Sequence, residues 1–462
     1  MTSAYPITER QRVELKDQLR LMAFDSTQLI DDKQLQTIQM ELGKRERLAA
    51  LLDGELDFHG ENGAYASHDL HAFAAKFPPQ LPRAFIRGLT QPGDIVLDPM
   101  MGSGTTVVEA IIAERYGIGL DIDPLALRLS SAKTKPLNAD HLREAGFGII
   151  DRAKTLLTNT SMIEKELTRR FDEPTRKFID YWFAPDTQRE LLALVIALEH
   201  VTDAYTRRFL ELTFSSTIVT KSGGVSRARD LAHSRPHRDL TKIPKNALDQ
   251  FALRLRKNLI SIARLKTNGM SAFPLVGDAR CMPLPDSSID LIVTSPPYAN
   301  AIDYMRAHKF SLVWLGESTG NLSVLRSKYI GSERIGQNKN TGFPPRSEAI
   351  IQKLSECDKN KAAILAKYFA EMGMVLCEMH RVLRSDAAAI VIVGTSVMRN
   401  IDVETHNCLA EIAATLGFDV VGIAKRTLDR NKRMMPARFG RRSDSMIEQR
   451  MHDEYVIGLL KP

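Results

Sequence analysis

The sequence predicts an α/β fold in which one doubly wound sheet is preceded by helices and split by a helical, basic insertion. Three observations predict it. A short apolar strand runs directly into a glycine loop, a helix and a second strand over 95–121. Strand signals then stop, and helical periodicity dominates 140–270. They resume at 288–294, 388–393, 419–424 and 455–460, with helical patterns between them.

Taken in order, 7–57 reads as two polar helices, with apolar positions in VELKDQLRLM and LQTIQMELGKRERLAALL recurring at three- and four-residue spacing up to Gly54. An irregular stretch follows, then a helix over Leu81–Leu89 and a turn at Gln91-Pro92-Gly93-Asp94. Ile95–Leu97 is a strand, Gly102-Ser103-Gly104 a tight loop, Thr106–Arg115 a helix and Gly117–Leu120 a second strand closed by Asp121. Within the helical stretch, KSGGVSRARDLAHSRPHRD at 221–239 is a Gly/Ser/Arg-rich loop. Residues 316–347 lack periodicity and read as a long loop, and a helix at 360–383 and another near 404–416 sit between the last strands. These shifts divide the chain into an N-terminal helical segment (1–64), a first half-sheet (65–139), the helical basic insertion (140–271) and a second half-sheet (272–462).

Composition narrows the function. With 44% hydrophobic and 26% charged residues over 462 positions, the chain has an ordinary globular mix. Its longest apolar runs, Leu191–Leu198 and Ala387–Val393, fall far short of the roughly 18 residues a membrane span needs. The start, MTSAYPITERQRVELK, has no apolar signal core, and the four cysteines show no metal-ligand spacing. A reduced, cytoplasmic protein without membrane or metal partner is expected. The net charge is +7 and is unevenly placed: 201–270 holds 14 basic and 5 acidic residues, and 425–450 holds 9 and 3. Segregated positive charge suits a polyanion such as nucleic acid, although a solvated basic helix face would read the same way.

Two motifs carry chemistry. In VLDPMMGSGTTVVEA, 96–110, glycines between strand and helix let the backbone turn tightly against a ligand. The spacing matches neither GxGxxG nor GxxxxGK[ST]. Asp98 at the first strand tip suits a cationic amino group, and Asp121 at the second is placed to accept from ribose hydroxyls. A ligand with ribose and ammonium but no phosphate describes S-adenosylmethionine. In IDLIVTSPPYAN, 289–300, two prolines remove backbone donors and leave carbonyls as acceptors. Ser295 Oγ and the Pro296 carbonyl can then accept both protons of an exocyclic amine, with Pro297 stiffening the turn and Tyr298 offering a face for a planar base.

DPMMGSGTT, GLDIDP and TSPPY together resemble the exocyclic-amino DNA methyltransferases, the N4-cytosine and N6-adenine family, over roughly 65–135 and 272–462. The resemblance implies a Rossmann-like class I methyltransferase sheet and S-adenosylmethionine as cofactor. HAFAAKFPPQLPRAFI, 71–86, resembles the segment that closes over the cofactor, which implies roles for Lys76, Phe77 and Pro78. By the same resemblance Asp98, Pro99, Met100, Gly102, Ser103, Gly104 and Thr105 would hold the methionine moiety, Asp121 and Ile122 the ribose, and Asp278 and Ala279 the adenine. Ser295, Pro296, Pro297 and Tyr298 would hold the target base.

Two departures stand out: Met100 occupies a position where the family usually has Phe, and helical material separates Asp121 from Asp278. A leading Ser in the catalytic tetrapeptide is commoner among N4-cytosine enzymes, so N4 methylation of cytosine in double-stranded DNA is the expected reaction. N6-adenine methylation, an RNA amino group, and a retired nucleic-acid-binding subunit are the alternatives. Asp303, Tyr304, Arg306 and His308 follow the motif closely enough to line a base pocket. Arg227, Arg229, Arg235, Arg238, Lys432 and Arg433 are the expected DNA contacts, with Lys425, Arg426, Arg430 and Arg438 as further candidates. No nuclease constellation is evident, so a restriction endonuclease partner would be a separate polypeptide.

Overall fold

A strand buried on both faces must be apolar at every position, and Ile289–Thr294 meets that demand, with all six residues buried. It lies at the centre of a seven-stranded sheet in a computed structural model that describes residues 8–24, 32–220, 224–229, 231, 236–299, 303–332, 342–394, 396–428 and 453–462. The strands are β1 (Ile95–Asp98), β2 (Tyr116–Asp121), β3 (Ala272–Val276), β4 (Ile289–Thr294), β5 (Leu383–Gly394), β6 (Asp419–Thr427) and β7 (Asp453–Lys461). Their order across the sheet is β6-β7-β5-β4-β1-β2-β3. All neighbours are parallel except β7, which runs antiparallel to both β5 and β6. The strand order reverses between β1 and β4, which opens a crevice at the carboxyl ends of these strands.

Side-chain alternation gives each face its own core. Val96, Leu291, Val293, Ala388, Ile390 and Ile392 pack against Leu48, Leu51, Phe85 and Ile86 of the preceding helices. Leu97, Ile292, Ala389, Val391 and Val393 face Tyr368, Phe369, Met372 and Met379 of the helix Lys359–Val382 and Leu409 of Thr405–Thr415. A third core joins the helices between Ala139 and Ile262, around Leu192, Leu210, Phe214, Phe251 and Leu255, to Phe310 and Trp314 just after the TSPPY motif.

Three expectations need correction. The second N-terminal run is two helices, Asp32–Glu41 and Lys44–Leu52, because Gly43 breaks it and Glu46 accepts the Gly43 N–H at 3.2 Å. The 316–347 stretch contains the helix Thr319–Ser327, capped by the Ser318 side chain accepting from Asn321 N–H at 3.1 Å. β3 was not expected at all. Among the described residues, no helix is long and apolar enough to cross a membrane.

Candidate active site

The carboxyl ends of β1 and β2 and the residue just past β4 place Asp98, Asp121 and Ser295 around one cleft with about 890 Å³ of empty space, its mouth included. Of the residues expected to hold the cofactor, Lys76, Phe77, Asp98, Pro99, Met100, Gly102, Ser103, Thr105, Asp121, Ile122, Asp278 and Ala279 line it, whereas Pro78 and Gly104 do not. Ser295 and Pro297 line the same cleft, so cofactor-type and base-type residues share one space; Pro296 is buried behind them. Gly104 instead shapes the loop. Its φ is 73°, and a Cβ there would come within 2.5 Å of Ser130 Oγ, so only glycine fits.

Asp98 is 1% exposed, and its Oδ1 accepts from Thr294 Oγ1 at 2.7 Å and from the Met100 N–H at 3.2 Å. Burial pushes its pKa up to about 6, against the hydrogen bonds that favour the ion. Asp121 accepts from the Gly102 N–H at 2.9 Å and the Asp123 N–H at 2.8 Å, which ties the second strand tip to the glycine loop. Burial, and then the neighbouring Asp123 carboxylate, push it up to about 7. Among the described residues neither carboxylate has a cationic side chain in ion-pair contact. A buried anion without a counter-charge is poised to receive one from a ligand.

Asp278 is differently placed. Burial alone would raise its pKa, but Arg280 holds it below the usual carboxylate range through Nε to Oδ1 at 2.9 Å and Nη2 to Oδ2 at 2.7 Å. Arg280 is in turn fixed to Glu371 at 2.8 Å. Lys76, half-buried on the cleft wall, donates to the His68 carbonyl at 2.6 Å, and burial brings its pKa down to about 8. Behind the loop, fully buried Lys133 donates to the Ser103 carbonyl at 2.8 Å.

Several lining residues escaped sequence reasoning: Phe73, Asp123, Lys328, Tyr329 and Ile330. Phe73 lies over Gly102, where a Cβ would meet its ring at 3.2 Å, and stacks on Tyr304 with centroids 5.4 Å apart. An aromatic wall therefore exists beside Met100, but it comes from other segments. Asp123 Oδ1 caps the helix Pro124–Lys133 through the Leu125 N–H at 2.7 Å. Its Oδ2 accepts from Tyr329 Oη at 2.8 Å and meets His308 Nδ1 at 2.6 Å. Tyr304 lines the cleft as expected for the segment after the motif, whereas Arg306 is paired with Asp303 at 2.8 Å.

Tyr298, expected to present a stacking face, instead lies with its ring against Gly394, where a Cβ would come within 2.6 Å, and does not line the cleft. Its hydroxyl donates to Glu454 Oε1 at 2.7 Å. Among the expected DNA contacts, Arg229 and Arg238 sit on a two-stranded hairpin, Ala228–Arg229 with His237–Arg238. Arg229 pairs with Asp239 at 2.5 Å and keeps a side chain 64% exposed; Arg238 lies 4.1 Å over the Tyr181 ring. The half-buried Arg227 joins this hairpin to the helix Glu173–Trp182 by donating its backbone N–H to the Trp182 carbonyl at 2.8 Å. Arg235, Lys432 and Arg433, with Arg430 and Arg438, fall outside the described residues. Arg426 is no phosphate contact: it is 2% exposed and paired with Glu454. Lys425 is half-exposed and paired with Asp453 at 2.9 Å.

A family model for N6/N4 methyltransferases, described as DNA methylase, matches residues 40–132. The type II methyltransferase M.MvaI of Kocuria varians is 23% identical over 381 residues, 77% of this chain and 83% of that protein. The type II methyltransferase M.BsoBI of Geobacillus stearothermophilus is 26% identical over 253 residues, 51% of this chain and about half (49%) of that protein. A crystal structure of a TehB-like SAM-dependent methyltransferase from Corynebacterium glutamicum superposes with a TM-score of 0.26 at 9% identity, over 82% of this chain and 85% of that one.

Proposed function

We propose that this chain is an S-adenosylmethionine-dependent DNA methyltransferase of the exocyclic-amino family and that it methylates the N4 amino group of cytosine at a specific site in duplex DNA. One observation carries the reading: Asp98, the glycine loop and Asp121 line the same cleft as Ser295 and Pro297. The leading Ser of the tetrapeptide favours cytosine over adenine, by the family resemblance.

In this reading Asp98 holds the cofactor's ammonium, Lys76 its carboxylate, and Asp121 its ribose hydroxyls. Asp278, already engaged by Arg280, offers its remaining lone pairs to the adenine amino group. Bound there, S-adenosylmethionine supplies an electrophilic methyl group. Ser295 Oγ and the Pro296 carbonyl accept the two N–H groups of a base flipped from the duplex. These acceptors draw the amine out of conjugation with the ring and aim its lone pair across the cleft. Catalysis is then positioning and electrostatics, with no covalent intermediate on the protein.

Mass spectrometry of nucleosides after incubating DNA with isotope-labelled cofactor tests this. Labelled 4-methylcytosine is expected. Labelled 6-methyladenine would move the assignment to the adenine branch, and neither product, with cofactor bound, would overturn it.

Cofactor affinity should be pH-dependent. With Asp98 near 6, its ionised fraction rises about tenfold between pH 5 and pH 7, and Asp121 near 7 steepens the change. Only the ionised forms suit the ligand, so the dissociation constant should fall at least about tenfold over that range. It should rise again above pH 8 as Lys76 loses its proton. Calorimetry from pH 5 to 9 measures this, and a flat profile would count against these roles.

Arg238→Ala and Arg229→Ala should each lower the salt slope of DNA binding by about 0.9 while leaving cofactor affinity unchanged. Fluorescence anisotropy across a salt series reads this directly. Arg238, with no acidic partner in ion-pair contact among the described residues, should show the larger loss of affinity.

A further inference from the structure

Just past the helix Thr319–Ser327, the residues Lys328, Tyr329 and Ile330 line the cleft. Side chains from three other parts of the fold pin this segment. The Tyr329 hydroxyl reaches Asp123 Oδ2, in the loop after β2, at 2.8 Å. Arg280 Nη2, in the loop after β3, donates to the Lys328 carbonyl at 2.8 Å and to Asp278 Oδ2 at 2.7 Å. From the helix Lys359–Val382, Glu371 accepts the Gly331 N–H at 3.0 Å, and Lys367 donates to Ser332 Oγ at 2.7 Å.

Asp123 is itself immobile. Its Oδ1 accepts the Leu125 N–H at 2.7 Å, and its Oδ2 also meets His308 Nδ1 at 2.6 Å, on the helix Met305–Leu312. Burial alone would raise the pKa of Asp123, but His308 holds it below the usual carboxylate range. A carboxylate can only accept, so Tyr329 gives its proton to Asp123. Burial, and then the Asp123 charge, push the Tyr329 phenol up and keep that proton in place. The segment is thus tied to both loops whose other residues, Asp121 and Ile122 on one and Asp278 and Ala279 on the other, face the nucleoside half of the cofactor in the reading above.

We propose that residues 328–330 are a positioning strap over the nucleoside half of S-adenosylmethionine, with the hydrogen bond from Tyr329 to Asp123 as its latch. This rests on the cofactor reading above and adds to it a wall that none of the sequence motifs contains. A strap already pinned leaves the ligand no segment to order. One that is closed only part of the time lowers affinity by the closed fraction.

The test uses the full chain with S-adenosylhomocysteine as probe. Tyr329→Phe keeps the ring and removes the latch, while Asp123 retains its bonds to Leu125 and His308. A strap closed about one-tenth of the time would raise the calorimetric dissociation constant about tenfold. Hydrogen exchange over 328–332 should quicken in the ligand-free variant and slow again when the probe binds. The thermal midpoint, and the single-turnover rate at saturating S-adenosylmethionine, should stay at wild-type values. Lys367→Met frees the strap from outside the cleft, and Glu371 keeps its pair with Arg280 at 2.8 Å. It should weaken the probe in the same direction, by about threefold for a strap closed a third of the time.

Tyr329→Phe binding within twofold of wild type would overturn the strap. So would weaker binding without faster exchange over 328–332, or a Lys367→Met protein that binds as tightly as wild type. Should Tyr329→Phe fail to fold, the Lys367→Met titration decides alone. A wild-type chain that binds no S-adenosylhomocysteine would overturn the cofactor reading itself, and the strap with it.

Discussion

Replacing Asp98 with Asn should weaken S-adenosylmethionine binding about 100-fold and, at the same time, make the ligand-free protein more stable at pH 8. Both effects come from one buried charge. Asp98 accepts from Thr294 and Met100 through Oδ1, and an Asn Oδ1 can keep both bonds. What changes is the ion. The folded-state pKa of about 6 lies above the usual 3.8, so ionised Asp98 opposes folding. Its contribution is most favourable below pH 4 and is lost as pH rises through 6, a cost of about 3 kcal/mol at pH 8. Asn escapes that cost. The charge it lacks is the one that meets an ammonium, and a hydrogen bond between charged groups contributes about 1.5–3 kcal/mol, which at the upper end is a factor of about 100 in affinity. Thermal melting at pH 5 and pH 8 should show wild type gaining on acidification more than the variant does, with calorimetry giving the affinity loss. A destabilised Asn variant with normal cofactor affinity would make Asp98 an internal structural acceptor instead.

The cofactor half of this site was legible because its chemistry is local. A strand tip, three loop residues and the next strand tip lie within 98–121, and short-range sterics fix how they meet. The elements that escaped notice depend on distant partners. β3 holds Pro274 and exposes Phe273 (48%) and Val276 (75%), so it lacks the apolar run of a parallel strand and exists by pairing with β2 at the sheet edge. The helix Thr319–Ser327 buries only Leu322, too little for a periodic signal. Tyr298 was assigned a stacking face from its ring chemistry, yet its orientation is set by the space at Gly394, 96 residues on, which no local pattern contains. Arg426 belongs by composition to a basic cluster, and only the register of β6 on β7 shows it spent on Glu454. Phe73 shows the same dependence: one ring among the aromatics of 71–86, it becomes a cleft wall because Gly102 leaves room beneath it.

Ser295→Ala should lower turnover about 100- to 1,000-fold, the usual loss when one preorganised hydrogen-bonding group at the reacting centre is removed. Its neighbour Thr294 should behave in the opposite way, and the contrast follows from where the two hydroxyls go. Thr294 is the last residue of β4, fully buried, and its hydroxyl donates to Asp98 on the cofactor side. Ser295, one residue further, lines the cleft itself. Thr294→Val therefore removes a donor that favours the ionised form of Asp98, moving that pKa further up. Cofactor affinity near pH 7 should fall several-fold, with much of the loss recovered at pH 8.5, while the rate at saturating cofactor stays close to wild type. Ser295→Ala should leave cofactor affinity and its pH profile untouched and depress only the rate, the residual activity coming from the Pro296 carbonyl. Single-turnover rates beside calorimetric titrations at two pH values separate the two patterns. If both substitutions weakened the cofactor equally, the division of labour between adjacent hydroxyls would be wrong, and Ser295 would belong to the cofactor side of the cleft rather than to the amine.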